Sequence, residues 1–328
     1  MESTTPQELP DSTVAEIAGF YQSATETIGK YIVGNRQVID IILTSMLADG
    51  HILIEGVPGT GKTSMAKAIA FITGCTFNRI QGTIDTQPAD MIGVRIYDNV
   101  TKKFVMQNGP IFTNILLVDE INRINPKAQS AFIEVMSERQ VTVDGITTPI
   151  PPPFFVIATQ NTREFEGTFP LIEVQRDRFM FSLNTEHLGG DEELIVVRRA
   201  AQGLLSWNEF ELYLKQVITK DRLLWMIDAV NAVRTEDPVL TYIRDLVVAT
   251  RRHNDIVLGA SSRASLAFVR GAKARAACQG RSYVIPDDVK AIAPSVLVHR
   301  INLTSEAEVE GIRSEDVIRE IVKNTEVP

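Results

Sequence analysis

Five short strand-like runs stand at 51–55, 77–81, 114–120, 154–159 and 179–181, and all but the second, Phe77-Asn78-Arg79-Ile80-Gln81, are built on unbroken apolar residues. Continuous rather than alternating runs of this length are the mark of strands buried on both faces, as in a parallel sheet. Helical spacing fills the gaps between them. Val14, Ile17, Tyr21 and Ile28 recur along one face from Ser12 onward, and Ile41, Ile42, Met46 and Leu47 do so over 37–48. Between these two helices, residues 31–35 read as a short apolar turn ending at Asn35. A third helix runs to Ile72 with Gly74 as its C-cap, and a fourth opens at Asn125-Pro126, an N-cap followed by proline, with Phe132, Val135 and Met136 inward. Strand alternating with helix predicts an α/β fold with a parallel sheet covered on both sides.

Two segments interrupt the alternation. Residues 82–109 hold a short helical piece at 88–92 and strand-like pieces at 95–97 and 104–106, and read as an insertion; Asp144-Gly145 marks a hairpin within 141–150. Past Leu183 the pattern changes. Helical periodicity dominates 192–201, 222–233, 238–252, 263–279 and 287–293, so an all-helical second domain is expected, with Trp207 and Trp225 in its core. The expected division is a loose tail over 1–11, an α/β core over 12–200 and a helical lid over 201–328.

Composition narrows the class only modestly. With 328 residues, 44% hydrophobic and 23% charged, the chain reads as an ordinary globular protein large enough for two domains. A net charge of −8 weighs against a nucleic-acid partner, which calls for a basic surface. Cys75 and Cys278 are too few and too far apart for a disulfide framework or a metal site. No basic and apolar leader stands at the N-terminus and no run is long enough for a bilayer, so the expectation is a cytoplasmic protein without a membrane span.

The chemistry concentrates after the first run. Gly56, Val57, Pro58, Gly59, Thr60, Gly61, Lys62 and Thr63 fit G-x-x-x-x-G-K-[ST], with a strand before and a helix, from Ser64, behind. The glycines let backbone N–H groups turn inward on a polyphosphate, Lys62 reaches the β- and γ-phosphates, and Thr63 is suited to Mg²⁺. The third run ends in Asp119-Glu120. At the C-terminal end of a parallel strand these carboxylates face the loop, Asp119 placed for Mg²⁺ and Glu120 to polarise an attacking water. Gln160-Asn161 ends the fourth run, where an amide can hold that water or the γ-phosphate. Arg176 and Arg178 precede the fifth run and in isolation are more often surface charges; Arg263 stands at the start of a long helix, where it adds a positive group to a terminus that favours anions.

Taken together the chain resembles the MoxR family of AAA+ ATPases. The resemblance rests on Ile32-Val33-Gly34, on Gly50 through Thr63, on Arg79-Ile80-Gln81-Gly82, on Gly109-Pro110-Ile111-Phe112 and on Val118-Asp119-Glu120-Ile121-Asn122-Arg123. It continues through Glu138-Arg139-Gln140-Val141-Thr142-Val143, Ala158-Thr159-Gln160-Asn161, Glu166-Gly167-Thr168-Phe169-Pro170-Leu171, Asp177-Arg178-Phe179, Gly259-Ala260-Ser261-Ser262-Arg263-Ala264, Gly280-Arg281 and Val298-His299-Arg300.

The resemblance implies ATP/ADP and Mg²⁺ as ligands, an AAA+ core with a five-stranded sheet, and an all-α lid. It implies that Asn161 is the sensor-1 amide and that Arg178 is an arginine finger acting on a neighbouring subunit. It makes Arg263 the sensor-2 arginine reaching the phosphates from the lid, and Val33 and Gly34 the turn lining the adenine pocket. Residues 82–109 become the helix-2 insertion, and Asp144-Gly145 the pre-sensor-1 hairpin. Homo-oligomeric rings, usually hexamers, follow, as do protein clients, often with von Willebrand factor A-domain partners. Two departures stand out: Arg176 occupies a position more often apolar, so it competes with Arg178 for the finger role, and Ser262 replaces a common proline. The alternatives are a related nucleic-acid motor, which an acidic chain disfavours, and a nucleotide-gated scaffold, which would not need Lys62, Asp119, Glu120, Asn161, Arg178 and Arg263 together.

Overall fold

The computed structural model describes residues 9–34, 36–57, 60–161, 167–185, 187–202 and 214–328. Asn35, Pro58, Gly59, Glu166 and Trp207, each singled out above, lie outside them. The chain begins α1 (Asp11–Gly29), α2 (Arg36–Leu47), β1 (Ile52–Gly56), α3 (Lys62–Ile72), β2 (Phe77–Gln81). Next come α4 (Pro88–Ile92), the hairpin β3 (Gly93–Asp98) and β4 (Lys103–Asn108), β5 (Ile115–Asp119) and α5 (Pro126–Glu138). The hairpin β6 (Gln140–Val143) and β7 (Ile146–Pro149), then β8 (Phe155–Gln160), α6 (Glu173–Arg176) and β9 (Phe181–Thr185), complete the α/β part. After it follow α7 (Gly190–Ala201), α8 (Lys220–Val230), α9 (Asp237–Thr250), β10 (Ile256–Leu258), α10 (Ser262–Cys278), α11 (Pro286–Leu297), β11 (Asn302–Leu303), α12 (Ser305–Val309) and α13 (Ser314–Asn324).

Five strands form one parallel sheet in the order β2–β5–β8–β1–β9. Their unbroken apolar runs split by alternation. Ile52, Ile54, Ile115, Leu117, Phe155 and Ile157 enter one layer, with α1, α2, α3 and the C-terminal helices. Leu53, Leu116, Val118, Val156 and Ala158 enter the other, with Met91 of α4 and Phe132 and Met136 of α5. The first layer is continuous: Ile17 and Phe20 of α1 share a cluster with Phe268 of α10 and Ile292 of α11. The N-terminal helix thus joins the sheet to the C-terminal helices. Approach there is close, since a Cβ on Gly271 would lie 2.6 Å from Phe181 Cζ.

Several expectations are corrected. The tail does not reach Asp11, which already belongs to α1, and Leu9 is buried. Phe20, not Tyr21, takes the core position in α1; the Tyr21 hydroxyl donates to Asp40 Oδ1 at 2.5 Å. Trp225 is 37% exposed and lies beneath the Arg222 guanidinium, 3.7 Å from its ring centre, because a surface cation can cover an indole face. The C-terminal half is helical but not wholly so: β10 and β11 form a short antiparallel ladder, too brief to leave a periodic signal.

His51, just before β1, ties β8 to the end of α5. Its Nδ1 accepts from Val156 N at 3.1 Å, so Nε2 carries the proton and donates to Met136 O at 3.0 Å. Burial pushes its pKa down from 6.5 to about 4. The unfolded chain therefore takes up this proton first as pH falls. Stability from the neutral ring is full above pH 6.5 and is lost progressively toward pH 4, by on the order of 3 kcal/mol. The pH 7 to pH 4 drop in the urea midpoint should be smaller for His51→Gln than for the unsubstituted protein; equal drops would contradict this assignment.

Candidate functional site

The C-terminal edge of the sheet carries a polar cleft. Gly56, Thr60, Gly61, Lys62, Thr63 and Ser64 line one side of it. Gly56 is required by close approach, for a Cβ there would lie 2.2 Å from Thr185 O at the end of β9. Gly61 adopts φ +76° at the N-cap of α3, so the loop enters the helix through a conformation that suits glycine. Lys62 Nζ donates to Gly56 O and Val57 O, both at 3.2 Å, and burial lowers its pKa against the pull of Asp119 and Glu120. Thr60 Oγ1 is buried with no hydrogen-bond partner among the described residues.

The opposite wall comes from β2, β5 and β8. Thr159 Oγ1 donates to Asp119 Oδ1 at 2.6 Å and accepts from Glu120 N at 3.0 Å, linking both carboxylate residues to the neighbouring strand. Asp119 Oδ2 pairs with Arg79 Nη2 at 2.7 Å. Glu120 sits at φ 56°, ψ 53°, an uncommon conformation for a non-glycine residue, at the point where β5 gives way to a 3₁₀ turn. Its Oε2 accepts from Gln81 Nε2 at 3.0 Å and from Arg123 Nε at 3.1 Å. Asn161 lines the same cleft, its carbonyl accepting from Asn122 Nδ2 at 3.2 Å.

Sequence reasoning assigned no role to Arg79, Gln81 or Thr159. The available signal was the i, i+2 spacing of Arg79 and Gln81, which puts both on one face of β2.

Val33 and Gly34 stand apart from this cleft. Leu188 Cδ2 and the Glu192 carboxyl lie 2.8 and 3.0 Å from where a Gly34 Cβ would be. Leu188, Glu192, Arg36 and Thr185 line a second cleft, and Thr185 also abuts Gly56. The turn therefore borders a space next to the phosphate loop.

Arg178 and Arg263 are brought together, but not here. Both line a third cleft, with Asp49, Gly50 and His51, which precede β1. The phosphate loop follows the other end of β1. Five residues of strand separate these edges, about 16 Å at ~3.3 Å per residue. The expectation that Arg263 closes over its own chain's phosphate loop is thus corrected. The start of α10 is pinned at the opposite edge, where Ser261 Oγ donates to Asp177 Oδ2 at 2.8 Å.

Other arginines of this third cleft have partners. Arg139 Nη2 meets Asp49 Oδ1 at 2.7 Å, Arg270 Nη2 donates to Asp49 O at 2.6 Å, and buried Arg300 pairs with Asp177 at 2.7 Å. Among the described residues Arg178 donates to a neutral group, Ser137 Oγ, at 2.5 Å. Neither Arg178 nor Arg263 pairs with a carboxylate among the described residues. Arg176 turns elsewhere, donating to Asn302 Oδ1 at 3.0 Å.

Comparison with known proteins finds an ATPase core followed by a lid. The family described as "ATPase family associated with various cellular activities (AAA)" matches residues 51–181, and the "AAA lid domain" matches 248–321. "Uncharacterized protein YeaC" of Bacillus subtilis is 44% identical over 305 residues, spanning 93% of this chain and 94% of that one. "Chaperone MoxR1" of Mycobacterium tuberculosis is 39% identical over 310 residues, spanning 92% of this chain and 80% of the relative. A solved structure described as a putative ATPase from Cytophaga hutchinsonii superposes with a TM-score of 0.88 at 36% identity, over 97% of both chains.

Proposed function

The chain belongs to the MoxR family of AAA+ ATPases, and on that footing we propose that it hydrolyses ATP at contacts between copies of itself. The observation that carries the proposal is the separation of the phosphate-loop cleft from the two arginines without carboxylate partners, at opposite edges of one sheet. One copy supplies the loop, Asp119, Glu120 and Asn161; its neighbour supplies Arg178 and Arg263. A homo-oligomeric ring, hexameric by family resemblance, provides such contacts.

Within one copy, backbone N–H groups at the start of α3 bind the phosphates, and Thr60 Oγ1 is a buried polar group still available to them. Lys62 exchanges its two carbonyl contacts for phosphate oxygens. Thr63 and Asp119 are hard oxygen donors that fit Mg²⁺, which when bound neutralises charge on the β- and γ-phosphates. Glu120 acts as the base that polarises water, which requires it to give up Gln81 or Arg123. Asn161 orients that water.

The energy of turnover is directed at protein clients. The β3–β4 hairpin supports this, because it exposes the apolar side chains Ile96, Tyr97, Val100 and Phe104, which suit a protein surface. Partners with von Willebrand factor A domains belong to the same reading, through the family resemblance.

Three measurements test it. Glu120→Gln should keep ATP binding and lose turnover by on the order of 10²–10⁴-fold; unchanged turnover would remove Glu120 from its role. Arg178→Ala should lower turnover by roughly 10³–10⁵-fold in the assembled protein. Mixing it with Lys62→Ala subunits should restore part of the loss, whereas no recovery at any ratio counts against action in trans. Arg79 competes with Mg²⁺ for Asp119 Oδ2. Arg79→Met should therefore tighten Mg²⁺ binding measured by titration calorimetry in the presence of ADP, and weaker binding would contradict that competition.

A further inference from the structure

We propose that Asp177 is a positioning residue that sets Arg178 and Arg263 as one unit, resting on the reading above that both act on a neighbouring copy. Its two carboxylate oxygens serve two different elements. Oδ1 takes Arg300 Nε at 2.7 Å, and Oδ2 accepts from Ser261 Oγ at 2.8 Å.

The first arm fixes the chain on both sides of Arg178. Arg300 follows α11, and its side chain is only 3% exposed. Besides Asp177 it donates to Phe179 O at 2.6 Å and to Met180 O at 3.0 Å. The segment carrying Arg178 is therefore bracketed by one guanidinium whose charge Asp177 balances. A buried arginine without that carboxylate would be an uncompensated charge, so the arm is strongly directional.

The second arm fixes the start of α10. Ser261 is its N-cap, and Ser261 Oγ accepts from the backbone N–H of Arg263 itself at 3.1 Å. Asp177 reaches that amide through a single hydroxyl. No hydrogen bond or ion pair joins Asp177 directly to the Arg178 or Arg263 side chain, so it acts through the frame and not on the nucleotide. Together the arms fix where the two arginines stand relative to each other. Two cations that must meet one triphosphate need that separation held closely, since a displacement near 1 Å can cost on the order of 10²-fold in rate.

The test uses the full-length assembled protein with Mg²⁺ and ATP. Asp177→Asn keeps an oxygen for Ser261 and loses the charge facing Arg300; Ser261→Gly keeps a cap-compatible residue and cuts only the arm to α10. Both should lower kcat, Asp177→Asn by on the order of 10²-fold and Ser261→Gly by roughly tenfold. Binding of a fluorescent ADP analogue should stay within about twofold of the unsubstituted protein, because the phosphate-loop cleft lies at the other edge. Adding Asp177→Asn to Arg178→Ala should cost clearly less than Asp177→Asn costs the unsubstituted protein, because the share acting through Arg178 is already lost and only the share through Arg263 remains.

Losses that multiply in the double variant would overturn the proposal, as would full kcat in Asp177→Asn beside a crippled Arg178→Ala. If Asp177→Asn fails to fold, Ser261→Gly decides: a lowered kcat with unchanged ADP binding supports the proposal, and an unchanged kcat overturns it. An Arg178→Ala protein with normal turnover brings down the trans reading itself, and the positioning role with it.

Discussion

Every central strand in this protein divides its side chains between two apolar layers, Ile52 and Ile54 entering one and Leu53 the other. That two-sided burial leaves no polar side chain in the middle of β1, β5 or β8. Ionisable groups must then collect where the strands begin or where they end, because a charge buried without partners is costly. In β5 the residues Ile115 to Val118 are all buried, and Asp119 is the first that can reach water. The same constraint places Asp49 and Arg178 before their strands and Gly56 and Asn161 at or after the ends of theirs. Two separate polar edges, and with them two separate clefts, follow from apolar packing alone.

Electrostatic pairing then sorts the arginines. Buried charges have to be matched, and they are: Arg300 by Asp177 and backbone carbonyls, and Asp288 by half-buried Arg281 at 2.6 Å. Arg139 and Arg270 share Asp49. What sets Arg178 and Arg263 apart from the other arginines of the third cleft is that neither pairs with a carboxylate among the described residues. Both stay close to solvent, where an unpaired cation costs little until something negative arrives. A structural role would have been served by pairing them, so their isolation favours an external anion.

Most of the architecture was legible because it rests on local rules. Continuous apolar runs meant doubly covered strands, Asn125-Pro126 marked the start of α5, and Asp144-Gly145 the β6–β7 turn, whose residues have φ of 50° and 75°. Errors arose where tertiary contacts decided. Phe20 and Tyr21 are equally plausible on a helical wheel, and only the position of Asp40 on α2 draws Tyr21 outward. Arg79 and Gln81 acquire their partners through the register of β2 on β5, which pairs Gln81 with Asp119 across a long stretch of chain. No window of sequence contains that pairing. The edge on which Arg263 lies depends on how α10 packs over α1 and β9, which the residues around it do not encode.

A resemblance can thus carry a residue's chemistry without saying which copy that chemistry serves. Arg263 keeps its motif and its helix start, yet a strand of five residues stands between it and its own phosphate loop. If the two edges are to meet, the beginning of one sheet must face the end of the next. Such a contact uses different surfaces on the two partners, so it is heterologous, and a two-fold dimer does not generate it by repeating one patch on itself. Head-to-tail contacts either close into a ring or continue as a filament. Under the proposed reading, the separation of the clefts within one subunit is therefore itself a reason to expect cyclic assembly, and the angle between neighbouring sheets sets how many copies close the circle.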